Sequence, residues 1–413
     1  MKFLIGASMK SKNNSSMSDA HKQKKHINGS NYSKANGFFS NSFSKFERLE
    51  ALDLGSIRDF DGFARALSKT AFGGRSLGEA ADVLHEMASD KSCFKVLTLS
   101  GAMTMAKMGL LVCDMIDKGM ADAVVSTGAL ISHGLIESMG MTHFKDPGNI
   151  SDEALRQMRL DRIYDTLELD DNLGNMGSII EEVLEETDPK NPVSSYQINN
   201  RIGERLAKTS GERGILKCAF LKKVPVYIPA FTDSVIGLHF AIINRKRKLE
   251  KKPAIMFDPF LDLEHYANLV FKSGSTGIFT VGGGVPRNWA QQVAPYLDWI
   301  RYKFIDNSDP SKYIIKDKSN PYLKQFKYAV RICPEPVHWG GLSGCTYSEG
   351  ISWGKFVPKN EGGRFAEVYA DATIAWPIIL KAAMERLGKN GKMPQRLFEK
   401  EMKAAKNGIK SLI

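Results

Sequence analysis

Lys355 closes the stretch 340–355, Gly-Gly-Leu-Ser-Gly-Cys-Thr-Tyr-Ser-Glu-Gly-Ile-Ser-Trp-Gly-Lys, and is the side chain best placed here for covalent chemistry. The glycines and hydroxyl residues make this stretch a poor helix and a poor strand, so it reads as a loop whose backbone passes close to something. A lysine with its ordinary pKa near 10.4 is the nucleophilic free base in only about one molecule in 2,000 at pH 7. An apolar wall such as Trp353, with few carboxylates nearby, lowers that pKa and releases free amine. From these residues alone the alternative stands beside it: a solvated surface lysine, the usual state of the residue.

The elements that would position this loop are legible as a rhythm. Short apolar runs at 95–99, 121–125, 225–229, 253–257, 276–281 and 328–332 are each followed by a longer helical pattern. That alternation predicts parallel strands with crossover helices, a doubly wound, mostly parallel α/β sheet of Rossmann-like type. Before it, 59–72 and 76–89 carry apolar residues at three-and-four spacing and predict an amphipathic helical N-terminal layer. Between the second and third runs, 151–210 reads as a helical insertion.

In such a sheet ligands sit at the carboxyl ends of the strands. The residues there are Ser100-Gly101-Ala102-Met103-Thr104, Ser126-Thr127-Gly128-Ala129, Phe231-Thr232-Asp233 and Gly282-Gly283-Gly284. Small residues at these turns let phosphates approach backbone amides and helix N-termini, and Pro286 stands where a first helical turn should begin. Ordinary strand-to-helix turns favour the same residues, and no Gly-x-Gly-x-x-Gly fingerprint is present.

Composition bounds the rest. A chain of 413 residues with 43% hydrophobic residues can bury a large core. Of the net charge of +11, residues 1–50 and 381–413 each contribute +6, which leaves the middle near −1. Basicity confined to the ends argues against a nucleic-acid-binding body. Residues 8–44, rich in Ser, Asn, Lys and Gly, predict disorder. The expected organisation is a basic tail over 1–45, one domain over 46–385 and a basic C-terminal helix or tail over 386–413. Five cysteines without a Cys-x-x-Cys pair read as reduced thiols of a cytoplasmic protein, and no apolar stretch reaches membrane-spanning length. His143, His239 and His265 stand alone, without metal-ligand spacing, so no metal is expected.

Ser352-Trp353-Gly354-Lys355, followed by Val368-Tyr369-Ala370-Asp371-Ala372, resembles the C-terminal signature of the deoxyhypusine synthase family, and the resemblance runs from about Asp59 to about Ala383. It implies a Rossmann-like homotetramer with active sites shared between subunits. It also implies NAD contacts at Ser100, Thr104, Thr127, Gly128, Ala129, Asp233, Gly283, Asp371 and Ala372. Lys355 would be the covalent nucleophile of an aminobutyl transfer from spermidine to an acceptor amine. That acceptor is a lysine of a translation factor, or putrescine in a homospermidine-forming branch. A polyamine pocket would be lined by Glu349, Trp353, Ser343, His133, Asn288 and Leu238. Leucines 238 and 342 stand where the family carries acids, with Glu335 as a replacement charge, so the amine pocket reads as remodelled. A catalytically silent partner of an intact paralogue is the expectation from a different class. The charged segment 306–326 reads as a lid, an interface element or a neutral insertion, and His338 and Trp339 are candidates for the loop's active-site face.

Overall fold

The structure, a computed structural model, is described for residues 46–306, 309, 320–391 and 394–398. The expectation for the 1–45 tail lies outside the described residues, and those for 306–326 and 386–413 lie largely outside them. Residues 1–49 and 50–413 are separate units, and the elements below belong to the second.

Helices α1 (Phe60–Ser68) and α2 (Phe72–Ser89) come first, then β1 (Cys93–Leu99), α3 (Gly109–Asp117), β2 (Ala123–Ser126) and α4 (Gly128–Ser138). An excursion follows: β3 (Phe144–Lys145), α5 (Asp152–Gln157), β4 (Leu160–Ile163), β5 (Thr166–Leu169) and α6 (Asp170–Glu185). The chain continues through α7 (Ser195–Thr209), α8 (Ile215–Lys222), β6 (Val226–Tyr227), α9 (Val235–Leu249) and α10 (Phe260–Lys272). It ends with β7 (Ser275–Val281), α11 (Gly284–Gln291), α12 (Val293–Ile300), β8 (Phe326–Ile332), α13 (Tyr347–Ser352), β9 (Arg364–Val368) and α14 (Ala372–Lys389).

Six strands pair in parallel in the order β6-β2-β1-β7-β8-β9. Counted along the chain within this sheet, that is the doubly wound order 3-2-1-4-5-6, whose direction of winding reverses between β1 and β7. The runs are apolar without alternation because both faces are covered. Cys93, Leu97, Leu99, Phe279, Val281, Val330 and Ile332 share one core with Leu84, Met87, Trp376 and Ile379 of α2 and α14. Phe94, Val96, Val125, Ile278 and Ala329 share the other with Tyr266, Val293 and Leu297 of α10 and α12.

Three elements differ from the sequence expectation. The run 253–257 is not a strand and makes only a bridge from Phe257 to Val193; its leading Pro253 has no N–H to offer a ladder. Strand β9, at the sheet's edge, went unpredicted because Arg364 and Glu367 interrupt its apolar pattern. The block 151–210 is not simply helical: β4 and β5 form a hairpin that pairs antiparallel with β3. Its two-residue connection is Tyr164-Asp165, with Tyr164 at φ 57° where Asn or Gly is the usual signal.

Candidate active site at the carboxyl edge of the sheet

The register fixes which residues meet. Ser126, Leu99, Val281, Ile332 and Val368 lie in one row across β2, β1, β7, β8 and β9. The residue after each therefore emerges along one edge. Thr127 N–H donates to Leu99 O, Ser100 N–H to Val281 O, Gly282 N–H to Ile332 O and Cys333 N–H to Val368 O, so the ladder holds one residue further.

At the reversal of winding the turns are locked together. Gly283 N–H donates to Ser100 Oγ at 2.9 Å, across the gap between β1 and β7. Gly282 at φ +79° and Gly284 at φ +61° adopt the left-handed region that favours glycine. Gly283 is extended, and its constraint is space: a Cβ there would lie 2.5 Å from Ser343 Cα. The loop after β8 thus rests on the glycine turn after β7. Thr104 Oγ1 donates to Leu130 O at 2.8 Å and is buried, so it ties the β1 turn to the first turn of α4. Thr127 caps α4, and Asp371 caps α14 by accepting from Thr373 N–H at 2.6 Å. Ala129 in the first turn of α4, Asp371 before α14 and Asp233 before α9 are all exposed.

Lys355 is buried, at 9% exposure. The turn after α13 brings it in: Lys355 N–H donates to Gly350 O, Gly354 sits at φ +69°, and Lys355 O accepts from Phe326 N–H at the start of β8. Phe356, fully buried against Tyr347, Phe326 and Phe365, anchors the turn. The Lys355 amine donates to Asn288 Oδ1 on α11 at 3.3 Å. Burial pushes the amine below the ordinary lysine pKa, the Arg287 cation adds to that, and Cys345 and then Glu349 oppose it. The expected indole shield is a smaller part of this than the sequence suggests. Trp353 stays 67% exposed with its ring centre 5.9 Å from Nζ, so α11 and the lysine's own turn bury the amine.

The frame beneath the loop is charged and was not anticipated. Arg287, buried on α11, donates to the carbonyls of Ser343 at 3.3 Å and Cys345 at 2.5 Å. Arg331, buried on β8, donates to Ser343 O at 2.5 Å and to Glu367 at 2.7 Å, and Glu367 accepts from Tyr347 N–H at 2.8 Å. The available signal was a lone arginine inside the apolar run of β8. Glu335 also reaches this loop, since a Cβ on Gly341 would fall 1.5 Å from its Oε1. Leu238 and Leu342 are exposed at 59% and 45%, and His338 and Trp339 are exposed too.

Not every expected residue converges on Lys355 within one chain. His133 on α4 and Leu238 on α9 follow β2 and β6, which lie on the other side of the winding reversal from β8. His133 instead bonds Glu168 on β5, at 2.6 Å. His143 does not stand alone either: its Nε2 lies 3.5 Å from the same carboxylate, which the sequence could not show because 25 residues separate it from Glu168.

The family model that matches this chain is that of deoxyhypusine synthase, over residues 63–383. A probable deoxyhypusine synthase 2 of Methanosarcina acetivorans is 32% identical over 320 residues, which is 77% of this chain and 84% of the relative. A deoxyhypusine synthase-like protein of Caulobacter vibrioides is 29% identical over 334 residues, 80% of this chain and 84% of the relative. Among solved structures, a putative deoxyhypusine synthase from Entamoeba histolytica superposes with a TM-score of 0.52 at 15% identity, covering 85% of this chain and 99% of the other. That last likeness speaks for the fold alone.

Proposed function

Since the chain belongs to the deoxyhypusine synthase family, we propose that it transfers a 4-aminobutyl group from spermidine, or a close polyamine, through Lys355 to an acceptor amine. The observation that carries this reading is the buried Lys355 amine, with its pKa lowered, held by Asn288 one turn into α11, the helix that follows the glycine turn after β7.

The residues present fit an NAD requirement. The Ser100–Gly283 contact bridges the two central strands, and α4, α11 and α14 begin along the same edge. Thr127, Gly128 and Ala129 would face one part of the dinucleotide, and Asp233, Asp371 and Ala372 others, with Ser100, Thr104 and Gly283 at the centre. Bound NAD would supply the removal and return of a hydride.

Lys355 then acts as nucleophile. Its neutral Nζ adds to the C=N carbon of the oxidised donor, and the bond from that carbon to diaminopropane breaks with a proton passing to the leaving amine. The enzyme keeps the four-carbon unit as an imine on Lys355. An acceptor amine displaces Lys355 in the same way. Asn288 Oδ1 accepts one Nζ hydrogen and so orients the amine's lone pair, while Glu349 and Glu335 supply negative charge for a cationic donor. Leu238, Leu342 and Asn288 would take fewer charges than a pocket of acids, which favours a donor or acceptor other than the family's commonest pair. On this reading the site is completed by a second subunit, in a homotetramer. The free cysteines fit a cytoplasmic location, and no described helix is long and apolar enough to cross a membrane.

Incubation with NAD and labelled spermidine, followed by borohydride and peptide mass spectrometry, tests the proposal. The expected result is a four-carbon adduct on Lys355 that requires NAD. Absence of any adduct there across a panel of polyamines would overturn it and leave the silent-partner reading. Label passing to putrescine alone, and to no protein lysine, would identify the homospermidine-forming branch.

A further inference from the structure

His133 lies on α4, His143 just before β3 and Glu168 on β5, and their donor atoms all fall within 4.8 Å of one another. Two of those atoms are buried without a hydrogen-bond partner: Nε2 of His143 and Oε1 of Glu168. The His143 side chain and that of Glu168 have no exposure at all. They face each other at 3.5 Å, within ion-pair range but longer than a good hydrogen bond. Buried polar atoms held this far apart satisfy each other poorly, and a cation between them would satisfy both.

We infer that His133, His143 and Glu168 form a binding site for a divalent first-row transition ion of the zinc type, with a fourth position left open. The spacing favours this geometry. Ligand bonds of 2.0–2.2 Å at tetrahedral angles put neighbouring donors about 3.4 Å apart, while octahedral angles would put them about 3.0 Å apart. The 3.5 Å between His143 Nε2 and Glu168 Oε1 matches the first. His133 Nδ1 bonds the other oxygen, Glu168 Oε2, at 2.6 Å, so the carboxylate would turn to offer a single oxygen to the ion. Two imidazoles and one carboxylate are a donor set that suits zinc.

The surroundings are prepared as well. A metal on Nε2 requires His143 Nδ1 to carry its proton and to face an acceptor. Glu137 Oε1 lies 3.6 Å from Nδ1. Lys107, which contacts Nδ1 at 3.0 Å and pairs with Glu137, is half-exposed and free to withdraw toward that carboxylate. The ion would fasten the small antiparallel sheet to α4, whose first turn lies at the carboxyl edge of the main sheet. His133 then serves as a ligand, and the inference stands or falls separately from Lys355 chemistry.

The test uses the full chain stripped with a chelator and titrated with Co(II) and with Zn(II). One equivalent per chain should bind, Co(II) should show visible absorption of tetrahedral intensity, and Zn(II) should displace it. Glu168→Gln should weaken binding by more than about 100-fold, beyond the roughly 10–100-fold expected of Glu137→Gln, which removes only an outer partner. Circular dichroism of both variants separates lost ligation from lost fold. Failure of the wild-type chain to bind either ion saturably, or binding by a folded Glu168→Gln variant as tight as wild type, would overturn the inference.

Discussion

Asn288→Asp puts the proposed role of the Lys355 amine under direct strain. The substitution preserves the size of the side chain and replaces the amide oxygen 3.3 Å from Nζ with a carboxylate. At that distance, with an effective dielectric near 20, two unit charges attract by about 5 kcal/mol. Measured shifts beside an opposite charge are smaller, about 1–3 pH units upward for an amine. Buried Arg287, adjacent in sequence, favours keeping the new carboxylate ionised. The sign is then fixed. Burial and Arg287 lower the amine's pKa in the wild type, and the new charge raises it. At any pH well below the wild-type value, each unit of upward shift reduces the free amine tenfold. The rate of borohydride-trappable adduct formation on Lys355, followed from pH 6 to pH 10, should fall by about 10–1,000-fold near neutrality and recover as pH rises. An unchanged profile, or one displaced toward acid, would refute the idea that a neutral Lys355 amine governs the reaction.

Other substitutions probe the frame. Gly283→Ala requires the loop at Ser343 to withdraw by about 1 Å, enough to cost on the order of 100-fold in turnover; Gly174→Ala, with open space around it, should leave activity unchanged in the same assay. Phe356→Ala removes a fully buried ring from the turn that holds Lys355 and should lower unfolding free energy by about 3–5 kcal/mol in urea titrations. Asp61 joins α1 to α14 through Arg386 at 2.7 Å, both side chains buried. Burial alone would raise its carboxyl, but the Arg386 and Lys389 hydrogen bonds outweigh that and hold it below the ordinary carboxylate range. A depressed carboxyl stabilises above its unfolded-state pKa and ceases to do so as pH falls through the folded value. Asp61→Asn should therefore cost about 3 kcal/mol at pH 7 by chemical denaturation, and the gap to wild type should close in acid.

Most of the fold could be read from the chain because a doubly wound sheet writes itself in local terms. β1, β2, β6, β7 and β8 are apolar runs bounded by turn residues, and each pairs within the sheet as the alternation predicts. Where the reading failed, the deciding interaction was long-range. β9 exists because Ala366 and Val368 pack into a core built from distant helices, while Glu367 holds the loop and Arg364 pairs with Glu86 of α2. The hairpin β4–β5 turns at a tyrosine in the left-handed region, which only its pairing explains.

The same division runs through the site. Lys355 and the small residues after β1, β2 and β7 are visible from local chemistry, because a nucleophile and close backbone approach each demand particular residue types. The groups that hold the loop around the lysine are not. Arg287 and Arg331 are buried and spend their hydrogen bonds on the carbonyls of Ser343 and Cys345 and on Glu367, contacts that no spacing along the chain encodes. Their placement has a consequence for reactivity. An arginine cannot lose its proton to relieve burial, so Arg287 must remain a cation near Nζ, and the neighbouring lysine is the group that can yield its charge. Holding the loop and priming the nucleophile are thus one arrangement: whatever loosens Arg287 from Ser343 and Cys345 should also return the Lys355 amine toward its ordinary, protonated state.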